Sequence, residues 1–214
     1  MRLSANIISW VFNPLVLPII ALLLVMYVPS DHGFYNTYCF YNLHPKEKLR
    51  LLYHYTVFIG LAPALSFYLM KRHKMIQSIE METQKERSAP IAIMFLYSLL
   101  LFGLYYYRAQ LVPFYPKYFV TLPLAGVLVT FVFFFLNRWK KISIHAAGCG
   151  ILVGFLFSYI DGHTDYQLWI IAFAFIISGL VMSARLYLSK HSLDELVIGW
   201  CIGSFITFGI GFFF

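Results

Sequence analysis

Seven apolar runs, near residues 5–28, 51–70, 90–108, 118–136, 144–160, 167–188 and 195–213, leave this chain few places to meet water. Most are about as long as a helix must be to cross the ~30 Å hydrocarbon core of a bilayer. The joints between them are short, and none could hold a soluble domain. Composition agrees: 61% of the 214 residues are hydrophobic and 12% are charged, whereas a soluble domain carries about 25% charged residues. The expected fold is an all-α polytopic membrane helix bundle of six to seven transmembrane helices, a single domain over residues 1–214. The first run begins at Arg2 without a small-residue cleavage site, so it reads as a retained helix.

The joints carry the remaining information. The longest, 29–50, is polar and aromatic and is expected to lie on the membrane surface. Pro113 and Pro116 mark the joint between the third and fourth runs. Two glycine pairs, Gly150 with Gly154 and Gly199 with Gly203, have the spacing that lets helices pack closely. Cys39, Cys149 and Cys201 show no disulfide, zinc or redox spacing and read as small hydrophobes.

The net charge is +7. No nucleic-acid motif accompanies it, and the basic residues sit in joints, where they suit phosphate headgroups or orientation signals. If seven runs cross in turn, eleven of the sixteen Lys and Arg share a side with joints 71–89, 137–143 and 189–194. Three ionisable clusters therefore face the same way. The first is Lys85 and Arg87 before Pro90, where the next helix is expected to start. The second is Ser143 and His145, and the third is Arg185, His191, Asp194 and Glu195. Arg and Lys bind anions, and a helix N-terminus adds free N–H groups. Two histidines can supply a nucleophile or base and an acid near neutral pH, and a carboxylate can orient one of them. Together these groups form a phosphoryl-transfer kit that calls for no metal.

The pattern resembles the type 2 phosphatidic acid phosphatase superfamily, which includes membrane lipid phosphatases and undecaprenyl pyrophosphate phosphatases. Its motifs run K-x6-R-P, P-S-G-H and S-R-x5-H-x3-D. Here the third reads Ala184-Arg185, five residues, then His191, with Glu195 at the acidic position and Asp194 just before it. The second reads Ile142-Ser143-Ile144-His145. In the first, Glu80 stands in place of the leading Lys and the proline is displaced to Pro90. The resemblance covers about residues 70–214. It implies that His191 attacks phosphorus and that Glu195 orients it. It further implies that His145 protonates the leaving oxygen and then activates water, while Arg185, Ser143 and Arg87, with Lys85 behind them, hold the phosphate. It implies no metal and no cofactor. The partner would be a lipid phosphate or lipid diphosphate among membrane lipids, the setting a bacterial inner membrane. Charge asymmetry points to a cytoplasmic catalytic face, whereas the resemblance often implies the outer face.

Structural roles compete at each position. Ser192-Leu-Asp-Glu195 is also a helix capping box, and Asp194 is the alternative partner for His191. Arg87 could be an orientation charge or pair with Glu86 or Glu82. Arg138, Lys140 and Lys141 read as headgroup anchors, and loop polarity accounts for His163 in "DGHTD". The rival activities are a phosphotransferase on the same site and a non-catalytic transporter or lipid-binding protein.

Overall fold

The computed structural model describes residues 2–30, 39–78, 83–112, 115–161, 163 and 167–213. Glu80, Glu82, Pro113 and Asp165, which figure in the sequence reading, lie outside the described residues. Every regular element among the described residues is helical. In chain order they are α1 (Arg2–Val11), α2 (Leu17–Tyr27), a 3₁₀ turn (Phe40–Asn42), α3 (Pro45–Tyr55), α4 (Ala62–Arg72), α5 (Gln84–Leu111), α6 (Lys117–Leu136), α7 (Ile144–Asp161), α8 (Trp169–Tyr187) and α9 (Leu193–Phe213). A π-helical segment, Thr56–Leu61, joins α3 to α4 into one continuous helix, Pro45–Arg72. Pro63 explains this segment. A proline in a regular helix clashes with the carbonyl four residues back, and one wide turn relieves it. With α5 to α9, Pro45–Arg72 makes six helices long and apolar enough to cross a membrane. They fit a multi-pass membrane protein.

The first apolar run differs from expectation. It breaks into α1 and α2, so it provides no single spanning helix. Asn13 and Pro14 are the cause. The Asn13 side chain donates to the Trp10 carbonyl (3.0 Å) and accepts from the N–H groups of Leu15 (2.9 Å) and Val16 (3.2 Å), closing one helix and starting the next. The pair still runs from end to end of the bundle. Pro14 and Leu17 pack beside Gly148 in the second turn of α7, and Ser30 approaches Tyr159 in its last turns.

Two other boundaries move. Helix α5 begins at Gln84, not at Pro90. Thr83 caps it by accepting from the Glu86 N–H (3.4 Å), and Pro90 lies within it. The 29–50 joint is not wholly superficial either. Phe40 is buried, stacked on Phe119 (5.1 Å) and Tyr159 (5.7 Å), and its N–H donates to the Tyr159 hydroxyl (3.0 Å). Aromatic rings thus close one end of the bundle.

The tightest helix pair is α7 with α9. A Cβ at Gly150 would fall on the Trp200 carbonyl oxygen, and one at Gly203 on the Ala147 carbonyl oxygen. The two backbones touch, so packing here comes from close approach, the force available to helices in lipid. This seam sets the first turns of α7 and α9 side by side. His145 and His191 lie at that end.

Candidate active site

The turn that carries His191 is fixed by its own backbone. Helix α8 ends in a Schellman motif, with Lys190 N–H on the Arg185 carbonyl (3.1 Å) and Ser189 N–H on the Leu186 carbonyl (2.9 Å). Ser189 takes the left-handed conformation that this motif needs (φ 53°). Five residues, 188–192, reverse the chain into α9, so Arg185 and His191 stay close despite the five positions between them.

His191 is buried, and its Nδ1 lies 2.7 Å from Glu195 Oε2. The spacing of four on the helix edge makes that contact. Asp194 turns away, binding the Lys140 ammonium and the Ser192 hydroxyl. Burial, then the charges of Arg87, Arg185, Lys141 and His145, hold the His191 ring well below its ordinary pKa of 6.5. The neutral ring donates Nδ1–H to Glu195, which leaves a lone pair on Nε2.

The three joints are bolted together through backbone carbonyls. Arg87 is buried and donates to the Ile142 carbonyl (3.0 Å). The Ser143 N–H donates to the Glu195 carbonyl (3.2 Å). Lys141 donates to the Lys190 carbonyl (2.9 Å). Asn137 donates to the Gln84 carbonyl (2.9 Å) and to Ser88 (3.2 Å), tying the end of α6 to the start of α5.

Beside these bonds lies a cavity of about 470 Å³. Arg87, His145, Arg185 and His191 line its polar end, with Asn6 and Ser9 of α1 and Asn13 of the α1–α2 break. The Ser9 carbonyl bears on the His145 ring. Four of the seven residues singled out from the sequence thus share one cavity, and Glu195 supports it from behind His191.

Ser143 and Lys85 do not line it. Ser143 is fully buried and accepts from the Ala146 N–H (3.3 Å), capping α7. Lys85 is exposed on the first turn of α5. Two positions from Arg87 is more than half a helical turn, so the two side chains point apart.

The sequence reading made Lys141 a headgroup anchor and not a part of the site. It is partly buried and near enough to bear on His191, whereas its neighbour Lys140 pairs with Asp194 at the surface. Its position two residues before Ser143 was the available signal. Arg138 lies over the rings of Phe134 (5.8 Å) and Phe135 (5.6 Å). His163 is buried rather than a loop polar group. It stacks on Tyr159 (4.0 Å) and donates from Nδ1 to that residue's carbonyl (2.5 Å), at the far end of α7.

None of the family models, curated proteins or solved structures compared with this chain matches it.

Proposed function

We propose that this protein is a membrane lipid phosphatase that hydrolyses a phosphomonoester or diphosphate of a lipid through a phosphohistidine intermediate. The observation that carries the reading is the meeting of two histidines and two arginines, from three separate joints, in one cavity. A structural need for these charges would be met more cheaply at the membrane surface, since burying ionisable groups is unfavourable without a partner.

His191 Nε2 attacks phosphorus, forming a P–N bond as the P–O bond to the leaving group breaks. Glu195 keeps the ring in the required tautomer and stabilises its cationic form. His145 gives its proton to the leaving oxygen. It then takes one from water, which breaks the P–N bond and releases phosphate. Arg87 and Arg185 neutralise the phosphoryl oxygens, and charge stabilisation of this kind supplies most of the catalysis in phosphoryl transfer.

A lipid substrate suits the walls beyond the polar end. The cavity shares Pro14, Leu15, Met94 and Ile144 with an apolar cleft that runs on past Phe58, Pro63 and Phe133. A hydrocarbon tail would follow that cleft while the phosphate meets the arginines. We place the site on the cytoplasmic face from the excess of Lys and Arg there.

Purified protein should release inorganic phosphate from lipid phosphates in detergent, with no added acceptor and with excess chelator present. His191→Ala should lower the rate by at least about a hundredfold. Undiminished release by that variant sinks the assignment, and release only when an acceptor is supplied favours a phosphotransferase.

A further inference from the structure

Among the described residues, the cavity lining is more cationic than one phosphoryl group requires. Its lining holds Lys71 as well as Arg87 and Arg185, and no Asp or Glu among the described residues. Arg87, His145, Arg185 and His191 share the wall made by α5, α7 and the α8–α9 turn. Lys71 stands on another wall, in the last turn of α4, with Asn6 of α1 and Asn13 of the α1–α2 break among the lining.

A basic residue at a helix C-terminus is ordinary, because it meets the negative end of the helix dipole. Arg72 has the same position and does not line the cavity. Lys71 also lies outside the three motifs. Among the described residues no carboxylate pairs with its ammonium. A Schellman motif holds the end of its helix, with Met75 N–H on the Met70 carbonyl (2.9 Å) and Lys74 N–H on the Lys71 carbonyl (3.1 Å).

A phosphomonoester carries about two negative charges at neutral pH, which the two arginines match. The third cation, with the neutral donors Asn6 and Asn13, suits further negative charge away from the reacting phosphorus. We infer that Lys71, with Asn6 and Asn13, forms a second phosphate subsite, and that the site prefers lipids with a second phosphate on the leaving-group side. This rests on the phosphatase reading above. His191 Nε2 would bond to the terminal phosphorus, the P–O bond to the leaving group would break, and the proton of His145 would go to the departing oxygen. Water would then cleave the P–N bond. Lys71 touches only the phosphate that departs with the lipid, so it positions substrate and sets specificity. That second phosphate could belong to a diphosphate or to a phosphodiester further along a headgroup.

The test compares wild type, Lys71→Gln and Lys71→Arg on two substrate pairs: prenyl diphosphate against prenyl monophosphate, and phosphatidylglycerophosphate against phosphatidate. In Lys71→Gln the ratio of kcat/KM for the two-phosphate member to that for the one-phosphate member should fall about tenfold in at least one pair, chiefly through KM. Lys71→Arg should restore most of it. An effect in the prenyl pair assigns a diphosphate, and one in the glycerol pair assigns a phosphodiester. Because the ratio is taken within one preparation, partial misfolding cancels. Ratios unchanged in both pairs overturn the inference.

A readout free of turnover is thermal stabilisation by inorganic pyrophosphate against inorganic phosphate. Wild type should prefer pyrophosphate and Lys71→Gln should lose that preference. Equal preference in both overturns the subsite. Absence of any turnover by wild type counts instead against the phosphatase reading.

Discussion

Two adjacent carboxylates, Asp194 and Glu195, have opposite attachments, and the difference sets what each can do. Glu195 reaches the His191 ring at 2.7 Å, while Asp194 binds Lys140 and Ser192 at the surface. Glu195→Gln should therefore lower kcat about a hundredfold or more, because a neutral amide neither enforces the tautomer nor stabilises a cationic ring. Asp194→Asn should stay within roughly twofold, as exposed ion pairs contribute little. Phosphate-release kinetics on the two variants checks this, and equal losses would show that Glu195 has no special part. The capping box proposed for Ser192 and Glu195 competes with this arrangement. The Ser192 hydroxyl is engaged by Asp194 and the Glu195 carboxylate by His191. Spacing alone allowed either carboxylate to reach the ring, and only the start of α9 at Leu193 chose between them.

At the scale of elements, the seam between α7 and α9 controls the distance between the two histidines. Gly203→Ala would place a methyl group on the Ala147 carbonyl oxygen and push the helices apart. Overpacking of this kind costs about 1–3 kcal/mol. The variant should melt at a lower temperature in detergent and lose phosphate release. Gly179→Ala in α8 meets nothing within 4 Å and should behave as wild type in both measurements. If the two variants behave alike, close approach at the seam is not what organises the site. The glycine spacing was visible in the sequence but common in any membrane helix. What it could not disclose was the partner, because a GxxxG pair names no opposing surface.

At the scale of the whole molecule, the polar cavity lies at one end of the bundle and the aromatic plug around Phe40 at the other. Lys140, after α6, belongs to the cavity end, and Lys46, at the start of α3, to the plug end; both are exposed. With a cytoplasmic site, a membrane-impermeant maleimide should label Lys140→Cys in inside-out vesicles and Lys46→Cys in right-side-out ones. Labelling of both from one side would refute the topology, and a reversed pattern would move the site to the outer face. The apolar runs by themselves determined a helical membrane bundle, since continuous apolar runs of this length satisfy their backbone groups in lipid as helices. The sequence also determined which joints carry charge, and spacing placed Arg185 near His191. Tertiary structure decided the rest. It brought Lys71 to the cavity while leaving Lys85 outside, and it set Lys141 on the Lys190 carbonyl beside His191. The reason is geometric. Hydrophobicity along the chain reports burial depth, whereas the direction in which a side chain projects depends on where each helix begins and what it packs against.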